Sequence, residues 1–452
     1  MGCTCAAEEK ENVNPNINTK KQDSQQKINK IDIKKKEDEK KSTDEVDKQV
    51  KITFDKDICN NINNTIPKRT ETNLQSLKGT MKTKVQKLSE VQKAYVLFLW
   101  ICQNIDYDAK GYFGGRNVDC TPDGVFKNGK TVCSGYSRLY RDIALNLGLN
   151  VECVSCYAKG VGYEPGQQLK GTNHEYNVID LNKKWFPIDS TWGAGHIEGR
   201  DFKREFNEFY FLANPELLIK THFPQDEKWQ LTKKKYTMEE FLKWPDIKSN
   251  FHKYEFNKFS PEEGFIELKN KNTQKFIVWG ANMRKKGLSC NIYLLQGNCY
   301  MQQLNLTSIN CLGDRFEVDC IFNKKGRYKV QLYGNSDGGD SYSSILTYIV
   351  NVENDAKTEL HFPHTYSGSN QINVIEPIYD NLKSGSTVKF KIKSSDLDQI
   401  IIIDSQWHHL SKNEEGFFEE EITIQSPAGK NVIVGKPKGS SSCSYLVSYS
   451  VI

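Results

Sequence analysis

The side chains with the clearest chemical potential in this sequence are Cys133, His174 and Asp189. Cys133 stands just ahead of an apolar stripe with helical spacing that ends at Gly148, so the pattern predicts a helix with the thiol at its first turn. The unpaired N–H groups and the positive dipole end of a helix N-terminus favour thiolate over thiol. Cys133 is therefore a candidate nucleophile.

A thiol nucleophile also needs a base within reach and a third group that holds the base in the right tautomer. His174 begins an alternating run, HEYNVIDL, that is typical of a strand. Asp189 ends a second apolar run, KWFPID, and the Asn-Lys-Lys between the two runs predicts a β-hairpin. Such a hairpin places His174 and Asp189 side by side, where they can face the thiol of Cys133.

Each of these three residues also has a purely structural interpretation. A cysteine beside a helix start is often part of a packed core, and a histidine at a strand start is often a core or surface residue. An aspartate before Ser-Thr is often a turn former or a helix cap. Taken together, in the order Cys, His, Asp and in these settings, the residues favour a catalytic triad.

The size and charge of the whole chain set limits on its class. Its 452 residues are enough for two to four domains. The 62 basic and 57 acidic side chains leave a formal charge of +5, a balance too even to indicate a nucleic-acid partner. No run approaches the roughly 20 apolar residues of a membrane span, and the N-terminus lacks the apolar core of a secretory signal, so we expect a cytoplasmic protein. The 13 cysteines lack regular spacing and are expected to be thiols.

Changes in composition divide the chain into five segments. Residues 1–50 are rich in Lys, Glu, Asp, Asn and Gln and are predicted to be a disordered tether, with a linker at 51–83. Helical periodicity followed by alternating strands predicts an α+β domain over 84–250. Short strands at a spacing of roughly 8 to 12 residues then predict two β-sandwich domains, at 255–354 and 356–452. The expected fold class is multidomain α+β.

The segment from about residue 85 to 250 resembles the transglutaminase-like superfamily, a branch of the papain-like cysteine enzymes, and within it the kyphoscoliosis peptidase family. The motifs that carry the resemblance are, in order, NIDYDAKGYFGG, VCSGYSRLY, YAKGVGYEPGQ, NHEYNVI, KWFPIDSTWGAGH and HFPQDEKWQL. The resemblance implies Cys133 as nucleophile, His174 as general base and acid, and Asp189 as the residue that orients the histidine. It also implies that the two C-terminal domains are immunoglobulin-like. Glu175 departs from the small or apolar residue that relatives often carry there, and its charge is expected to raise the pKa of His174.

The chemistry that the resemblance implies is acyl transfer on protein substrates. The Cys133 thiolate attacks the carbonyl of a glutamine side chain or a peptide bond, His174 protonates the leaving amine, and water or a second amine resolves the thioester. The oxyanion accepts from the backbone N–H of Cys133 and from a second donor that the sequence leaves unassigned. Hydrolysis, transamidation and deamidation all stay open. The alternative is a catalytically silent scaffold that binds cytoskeletal or membrane-associated proteins through its β-sandwich domains.

Further residues are candidates for the surroundings of the site. The aromatic residues that either form the cleft wall or belong to the core are Trp100, Tyr112 and Trp192. The glycine-rich segment KGVGYEPGQQLKGTN, residues 159–173, either borders the substrate groove or is a plain connecting loop. The sequence shows no Cys/His pairs with zinc spacing and no acidic calcium loop, so neither a metal nor a cofactor is expected.

The first residues, MGCTCAAEE, predict lipidation. Gly2 fits N-myristoylation after removal of the initiator Met, although Ala6 replaces the usual Ser or Thr, and Cys3 and Cys5 fit palmitoylation. Because one myristoyl chain anchors only marginally, the two adjacent cysteines matter for a stable membrane contact. We therefore expect a protein at the membrane surface or on the cytoskeleton, the latter from the family resemblance. The alternative is an unmodified, disordered terminus.

Overall fold

The computed structural model describes residues 52–452 except 337–338, 340, 367–371, 395–396, 427–428 and 438–442. The tether predicted at 1–50, with the lipidation candidates Gly2, Cys3 and Cys5, lies outside the described residues. From residue 57 to residue 452 the chain forms one unit. Among the helices of the described residues, none is both long and apolar enough to cross a lipid bilayer.

Helices dominate the N-terminal part of the described chain. They are α1 Lys56–Asn63, α2 Leu74–Val85, α3 Glu90–Asn104, α4 Ala109–Phe113, α5 Pro122–Asn128, α6 Cys133–Asn146, α7 Ser190–Ala194, α8 Pro215–Leu218, α9 Met238–Lys243 and α10 Ser249–Lys253. Short 3-10 helices lie at Arg69–Glu71, Glu208–Tyr210, Glu227–Gln230 and Met283–Lys285. Ser89 begins α3 with a capping box, in which its side chain accepts from the N–H of Gln92.

A four-stranded antiparallel sheet accompanies these helices, in the order β5-β4-β3-β8. The strands of this part are β1 Asp106–Tyr107, β2 Lys130–Thr131, β3 Asn150–Ala158, β4 His174–Leu181, β5 Lys184–Ile188, β6 Gly195–Glu198, β7 Asp201–Arg204 and β8 His222–Pro224. The predicted hairpin forms between β4 and β5. Its two-residue loop, Asn182 and Lys183, has positive φ at both positions, as a type I′ turn requires.

Helix α6 packs on this sheet through β3 and β4. Its buried stripe includes Tyr136, Leu139, Tyr140 and Ile143, the helical spacing seen in the sequence. Full burial of a side chain such as Leu139 or Ile143 stabilises the fold by about 1.5–3 kcal/mol. The two buried tyrosines satisfy their hydroxyl groups on backbone carbonyls, at 2.7 Å for Tyr136 and 3.1 Å for Tyr140. The start of α6 is thereby held in a fixed position.

The prediction of a linker at 51–83 is wrong beyond residue 56, because helices α1 and α2 form there. Cys59, Leu77 and Met81 are fully buried. The side chain of Asn73 caps α2 by accepting from a backbone N–H. The segment is mostly polar, so its few apolar residues did not give a clear helical pattern. These apolar residues nevertheless fall on one face of each helix.

The first β-sandwich consists of two sheets around one core. Its strands are β9 Asp246–Ile247, β10 Phe256–Ser260, β11 Phe265–Leu268, β12 Thr273–Gly280, β13 Gly287–Gln296, β14 Cys299–Gln303, β15 Thr307–Cys311, β16 Arg315–Ile321, β17 Gly326–Asn335 and β18 Ser343–Val352. The sheet orders are β10-β12-β16-β15 and β11-β18-β17-β13-β14, and β9 joins the second sheet by pairing with β18. Phe362 belongs to the same core. The domain therefore begins before and ends after the predicted 255–354, because a two-residue strand such as β9 leaves no periodic pattern.

A second β-sandwich follows, as the sequence predicts. Its strands are β19 His364–Thr365, β20 Asn373–Glu376, β21 Thr387–Lys393, β22 Leu397–Asp404, β23 Gln406–Leu410, β24 Phe417–Thr423, β25 Gly429–Pro437 and β26 Ser444–Val451. Two sheets, β19-β26-β25-β22-β23 and β20-β21-β24, share a core that includes Phe390, Ile400 and Tyr449. The described chain is thus an α+β domain followed by two β-sandwiches.

Candidate active site

The structure places Cys133 at the first position of α6, partly buried. The preceding residue, Val132, is extended and offers no capping side chain, so none competes for the N–H groups of the first turn. Gly135 allows the helix to begin this close to β2, because a Cβ at that position would collide with the side chain of Thr131. The local sequence therefore sets a thiol at an uncapped helix N-terminus.

His174 lies at the start of β4 and connects Cys133 to Asp189. Its Nε2 atom is 2.7 Å from Oδ2 of Asp189, and both side chains are buried. Cys133 lies close enough to the same ring for the thiol and the imidazole to shift each other's pKa. Because Nε2 faces the carboxylate, the ring nitrogen left for the sulfur is Nδ1. The structure brings the three predicted residues together in the order thiol, imidazole, carboxylate.

Asp189 accepts four hydrogen bonds in a fully buried setting. Oδ1 accepts from the backbone N–H groups of Thr191, at 2.8 Å, and Trp192, at 3.1 Å, and so caps α7. Oδ2 accepts from His174 at 2.7 Å and from His222 at 3.1 Å. Burial alone would raise the pKa of this carboxyl group, but the two histidines hold it well below its usual range. The helix-cap interpretation is therefore confirmed, and the contact with His174 is the one that the orienting role, which stays a prediction, requires.

His222 also belongs to this site, although no sequence pattern predicts it there. It is the first residue of β8, and its side chain is fully buried between the ring of Trp192, 4.4 Å away, and the ring of His174, 5.2 Å away. Its Nδ1 lies 2.9 Å from Oγ1 of Thr221. The available signal was its position at the head of the motif HFPQDEKWQL, but a single histidine at a strand start does not reveal which carboxylate it meets.

The electrostatics of the site favour an ion pair. Burial raises the pKa of the Cys133 thiol, but the nearby His174 ring, together with a hydrogen bond from the backbone N–H of Glu175, outweighs burial and leaves this pKa below its usual value. Burial lowers the pKa of His174, but Asp189 and then Cys133 raise it to about 10. Both shifts therefore favour the thiolate–imidazolium form of the pair over the neutral form.

The expectation that Glu175 raises the pKa of His174 is wrong. The groups that raise it are Asp189 and Cys133. The carboxylate of Glu175 instead accepts a hydrogen bond from the hydroxyl group of Ser137 on α6.

The three aromatic candidates for the cleft wall lie in different environments. Trp100 is 1% exposed and donates its ring N–H to the carbonyl of Pro67, so of the two alternatives it takes the core position. Trp192 is partly buried, and its ring centre lies 5.5 Å from that of His174. Tyr112 is exposed. A role for Trp192 and Tyr112 in the wall stays a prediction.

The glycine-rich segment 159–173 is fastened at two points. At its base, Asn173 accepts from the N–H of Ala158 at 2.7 Å and donates to the carbonyl of the same residue at 2.9 Å. At its tip, the carboxylate of Glu164 accepts from three side chains of the first β-sandwich, at 2.8 to 3.3 Å. These donors are Lys329, Tyr300 and Arg327. The segment, which ends next to His174, is therefore held to the first β-sandwich by Glu164 and is not a free connecting loop. Its place beside a substrate groove stays a prediction.

Glu164→Ala should loosen this segment. The change removes the shared acceptor of three partly buried donors, which should destabilise the protein by about 1–3 kcal/mol. Hydrogen exchange of the amides at 160–172 should accelerate, and the urea midpoint should fall. The matched control is Glu198→Ala, which removes an exposed ion pair to Lys203 with an oxygen–nitrogen distance of 3.4 Å. Equal exchange in both variants would show that other contacts hold the segment.

Three side chains of the site could together ligate a metal ion. His174, Asp189 and His222 offer ligand atoms that all lie within 4.8 Å of one another. The distances of 2.7 and 3.1 Å from the carboxylate oxygen to the two ring nitrogens are those of ordinary hydrogen bonds. The hydrogen-bond network therefore accounts for this cluster.

Comparison with known proteins identifies two of the domains. Residues 77–190 match the model of the transglutaminase-like superfamily, and residues 238–363 match the KY-like, immunoglobulin-like domain. The second range covers β9 and Phe362, in agreement with the observed domain limits. The predicted resemblance to the transglutaminase-like superfamily is confirmed.

Curated relatives include kyphoscoliosis peptidase from two mammals. The chain is 29% identical to the Mus musculus protein over 304 residues, which cover 65% of this chain and 44% of that protein. It is 30% identical to the Homo sapiens protein over 300 residues, 64% of this chain and 43% of the relative. Hillarin from Drosophila melanogaster is 26% identical over 186 residues, 37% of this chain and 22% of the relative. The matches thus span less than half the length of these relatives.

Proposed function

We propose that this protein, in which a transglutaminase-like domain is followed by a KY-like, immunoglobulin-like domain, is a cysteine-dependent acyl-transfer enzyme that acts on protein substrates. The observation that carries the proposal is the buried, hydrogen-bonded pair of His174 and Asp189 beside Cys133, a thiol at an uncapped helix start whose pKa the His174 ring lowers. Each of the three groups has the environment that its role needs. A scaffold without turnover has no need of all three.

In the proposed reaction, the Cys133 thiolate attacks the carbonyl carbon of a glutamine side chain or a peptide bond. The carbon–nitrogen bond breaks as the His174 imidazolium gives its Nδ1 proton to the leaving amine, and a thioester forms. Water or a second amine then gives a proton to His174 and attacks the thioester, which returns the thiol. Asp189 holds the Nε2–H of His174 throughout and balances its charge. The backbone N–H of Cys133 donates to the oxyanion.

The test is a comparison of wild type with Cys133→Ala in a cell extract supplied with a biotinylated alkylamine. Transamidation appears as biotin on proteins, deamidation as conversion of glutamine to glutamate, and peptide-bond hydrolysis as new N-termini, the last two read in mass spectra. We expect at least one of these products with wild type and with Cys299→Ala, a control at an exposed cysteine of β14, and none with Cys133→Ala. If wild type yields no product beyond Cys133→Ala, the silent scaffold replaces the enzyme.

We also propose that the protein works at the membrane surface and binds cytoskeletal proteins. The sequence MGCTC supports acylation of Gly2, Cys3 and Cys5. Two large aromatic side chains of the second sandwich, Trp407 at 63% and Tyr445 at 61% exposure, support a protein-binding surface. The cytoskeletal class of partner rests on the family resemblance.

Gly2→Ala should move the protein out of the membrane fraction. The change blocks the myristoyl amide, and palmitoylation of Cys3 and Cys5 depends on that first membrane contact. Since two acyl chains anchor stably and one only marginally, Cys3→Ser with Cys5→Ser should have most of the same effect. The measurement separates membrane, detergent-insoluble cytoskeletal and soluble fractions, with Cys443→Ser as the control. A fully soluble wild type with an unmodified N-terminus would overturn the anchor.

A further inference from the structure

We propose that His222 is a positioning residue for this reaction, which holds the Asp189 carboxylate in the orientation that His174 needs. The inference rests on the proposed function. It is carried by a separate contact, the bond between the His222 ring and the triad carboxylate. His222 lies outside the residues that match the transglutaminase-like superfamily, 77–190.

The geometry makes His222 a second donor to one carboxylate oxygen. Its Nε2 lies 3.1 Å from Oδ2 of Asp189, the same oxygen that accepts from His174 at 2.7 Å. The His222 side chain is 0% exposed, so water cannot replace this bond. The ring of Trp192 packs edge-on against it with centres 4.4 Å apart. The donor is therefore built into the core beneath the site.

The proton positions follow from the partners of the two ring nitrogens. The ionised Asp189 can only accept, so Nε2 of His222 carries a proton. Burial lowers the pKa of His222, which leaves the ring neutral at pH 7 and makes Nδ1 an acceptor. The hydroxyl group of Thr221 lies 2.9 Å from this nitrogen and 3.2 Å from the carbonyl oxygen of Leu218, and it shares its proton between these two acceptors. A directed series of bonds thus runs from Thr221 through His222 to Asp189.

The other titratable groups around the His222 ring do not change this assignment. The ring faces His174, Tyr176 and Tyr210 at centre distances of 5.2, 5.8 and 6.2 Å. Burial raises the pKa of both tyrosines, so they are uncharged at neutral pH. The charged neighbours of His222 in the working state are therefore Asp189 and the His174 imidazolium.

Loss of the His222 donor should weaken the carboxylate's hold on His174. With one partner fewer on Oδ2, the buried Asp189 charge is less well solvated and its orientation is less fixed. The imidazolium of His174 is then less favoured, and the fraction of Cys133 present as thiolate at neutral pH falls. The effect travels through two hydrogen bonds and leaves the thiol itself untouched.

The test compares His222→Phe, which keeps the ring packing and removes the donor, with His222→Gln, which keeps an N–H donor at similar reach. Alkylation of Cys133 by iodoacetamide is followed from pH 5 to pH 9.5 by mass spectrometry of its peptide. We expect His222→Phe to slow alkylation at pH 7 by about tenfold and to move the profile to higher pH. His222→Gln should recover most of the rate. The control His252→Phe alters a histidine that stacks on Phe209 and should leave the profile unchanged.

Two results would overturn the role of His222. One is a wild-type profile in a folded His222→Phe variant, and the other is an equal loss in folded Phe and Gln variants. The ¹⁵N shifts of the imidazole rings provide a readout independent of reactivity. They should show His222 of wild type protonated at Nε2, and the Nδ1–H tautomer would overturn the inference even if His222→Phe fails to fold. A wild-type Cys133 that reacts no faster than Cys299 would instead contradict the proposed function.

Discussion

Asp189→Asn should lower the rate of acyl transfer by about 10³- to 10⁴-fold while the protein remains folded. In the native site, Oδ2 of Asp189 accepts from the Nε2–H groups of His174 and His222. An amide NH₂ group in that position would face two donors and force His174 into the wrong tautomer. The remaining amide oxygen can still accept from Thr191 and cap α7, so the loss of stability should be small beside the loss of rate.

The measurement pairs amine incorporation in a cell extract with urea unfolding of the purified variant. The matched control is Asp226→Asn, at a carboxylate that caps the 3-10 helix Glu227–Gln230 by accepting from the backbone N–H of Lys228. The control should keep wild-type turnover. Retained turnover in Asp189→Asn would remove this residue from the triad, and global unfolding would make it a structural cap alone.

His174→Ala should abolish acyl transfer and slow alkylation of Cys133 at pH 7 by about 100-fold. Without the imidazolium, the thiol regains at least its ordinary pKa near 9, at which about 1% is thiolate at pH 7. Alkylation should therefore recover as the pH approaches 10, whereas acyl transfer should not, since no group remains to protonate the leaving amine. The control is His196→Ala, at a half-exposed histidine on β6. Unchanged alkylation in His174→Ala at pH 7 would show that the thiol is activated by another group.

The pH dependence of wild type follows from the same two groups. The pKa of Cys133 is lowered and that of His174 is raised to about 10, and both shifts favour the ion pair. Acyl transfer should fall as the pH rises through about 10, because His174 loses the proton that it must donate. Alkylation of the thiol needs no such proton and should not fall there. A common alkaline limb for both reactions would indicate unfolding.

The parts of the site that sequence patterns predict are those set by local periodicity. The helical stripe after Cys133 fixed the start of α6, and the Asn-Lys-Lys turn set the hairpin that pairs His174 with Asp189. Both depend on residues near one another in the chain. With these two elements in place, the order Cys, His, Asp predicts the triad.

The parts that sequence patterns miss depend on tertiary contacts. His222 meets Asp189 only because β8 pairs with one edge of β3 while β4 pairs with the other edge. Glu164 meets its three donors only after the sandwich packs against the first domain. Trp100 is a further case, because no sequence pattern distinguishes a tryptophan of α3 that is buried in the core from one that lines a cleft. In each case the deciding partner lies far away in sequence.

The most direct test of the whole account is the pH profile of alkylation, read separately for each of the 13 cysteines of the wild-type protein. Iodoacetamide is applied briefly between pH 5 and pH 9.5, and each cysteine peptide is quantified by mass spectrometry. Cys133 should already react at pH 6 to 7, while the exposed Cys299 and Cys443 should react only as the pH approaches 9. A Cys133 profile that coincides with those of Cys299 and Cys443 would contradict an activated nucleophile at this site.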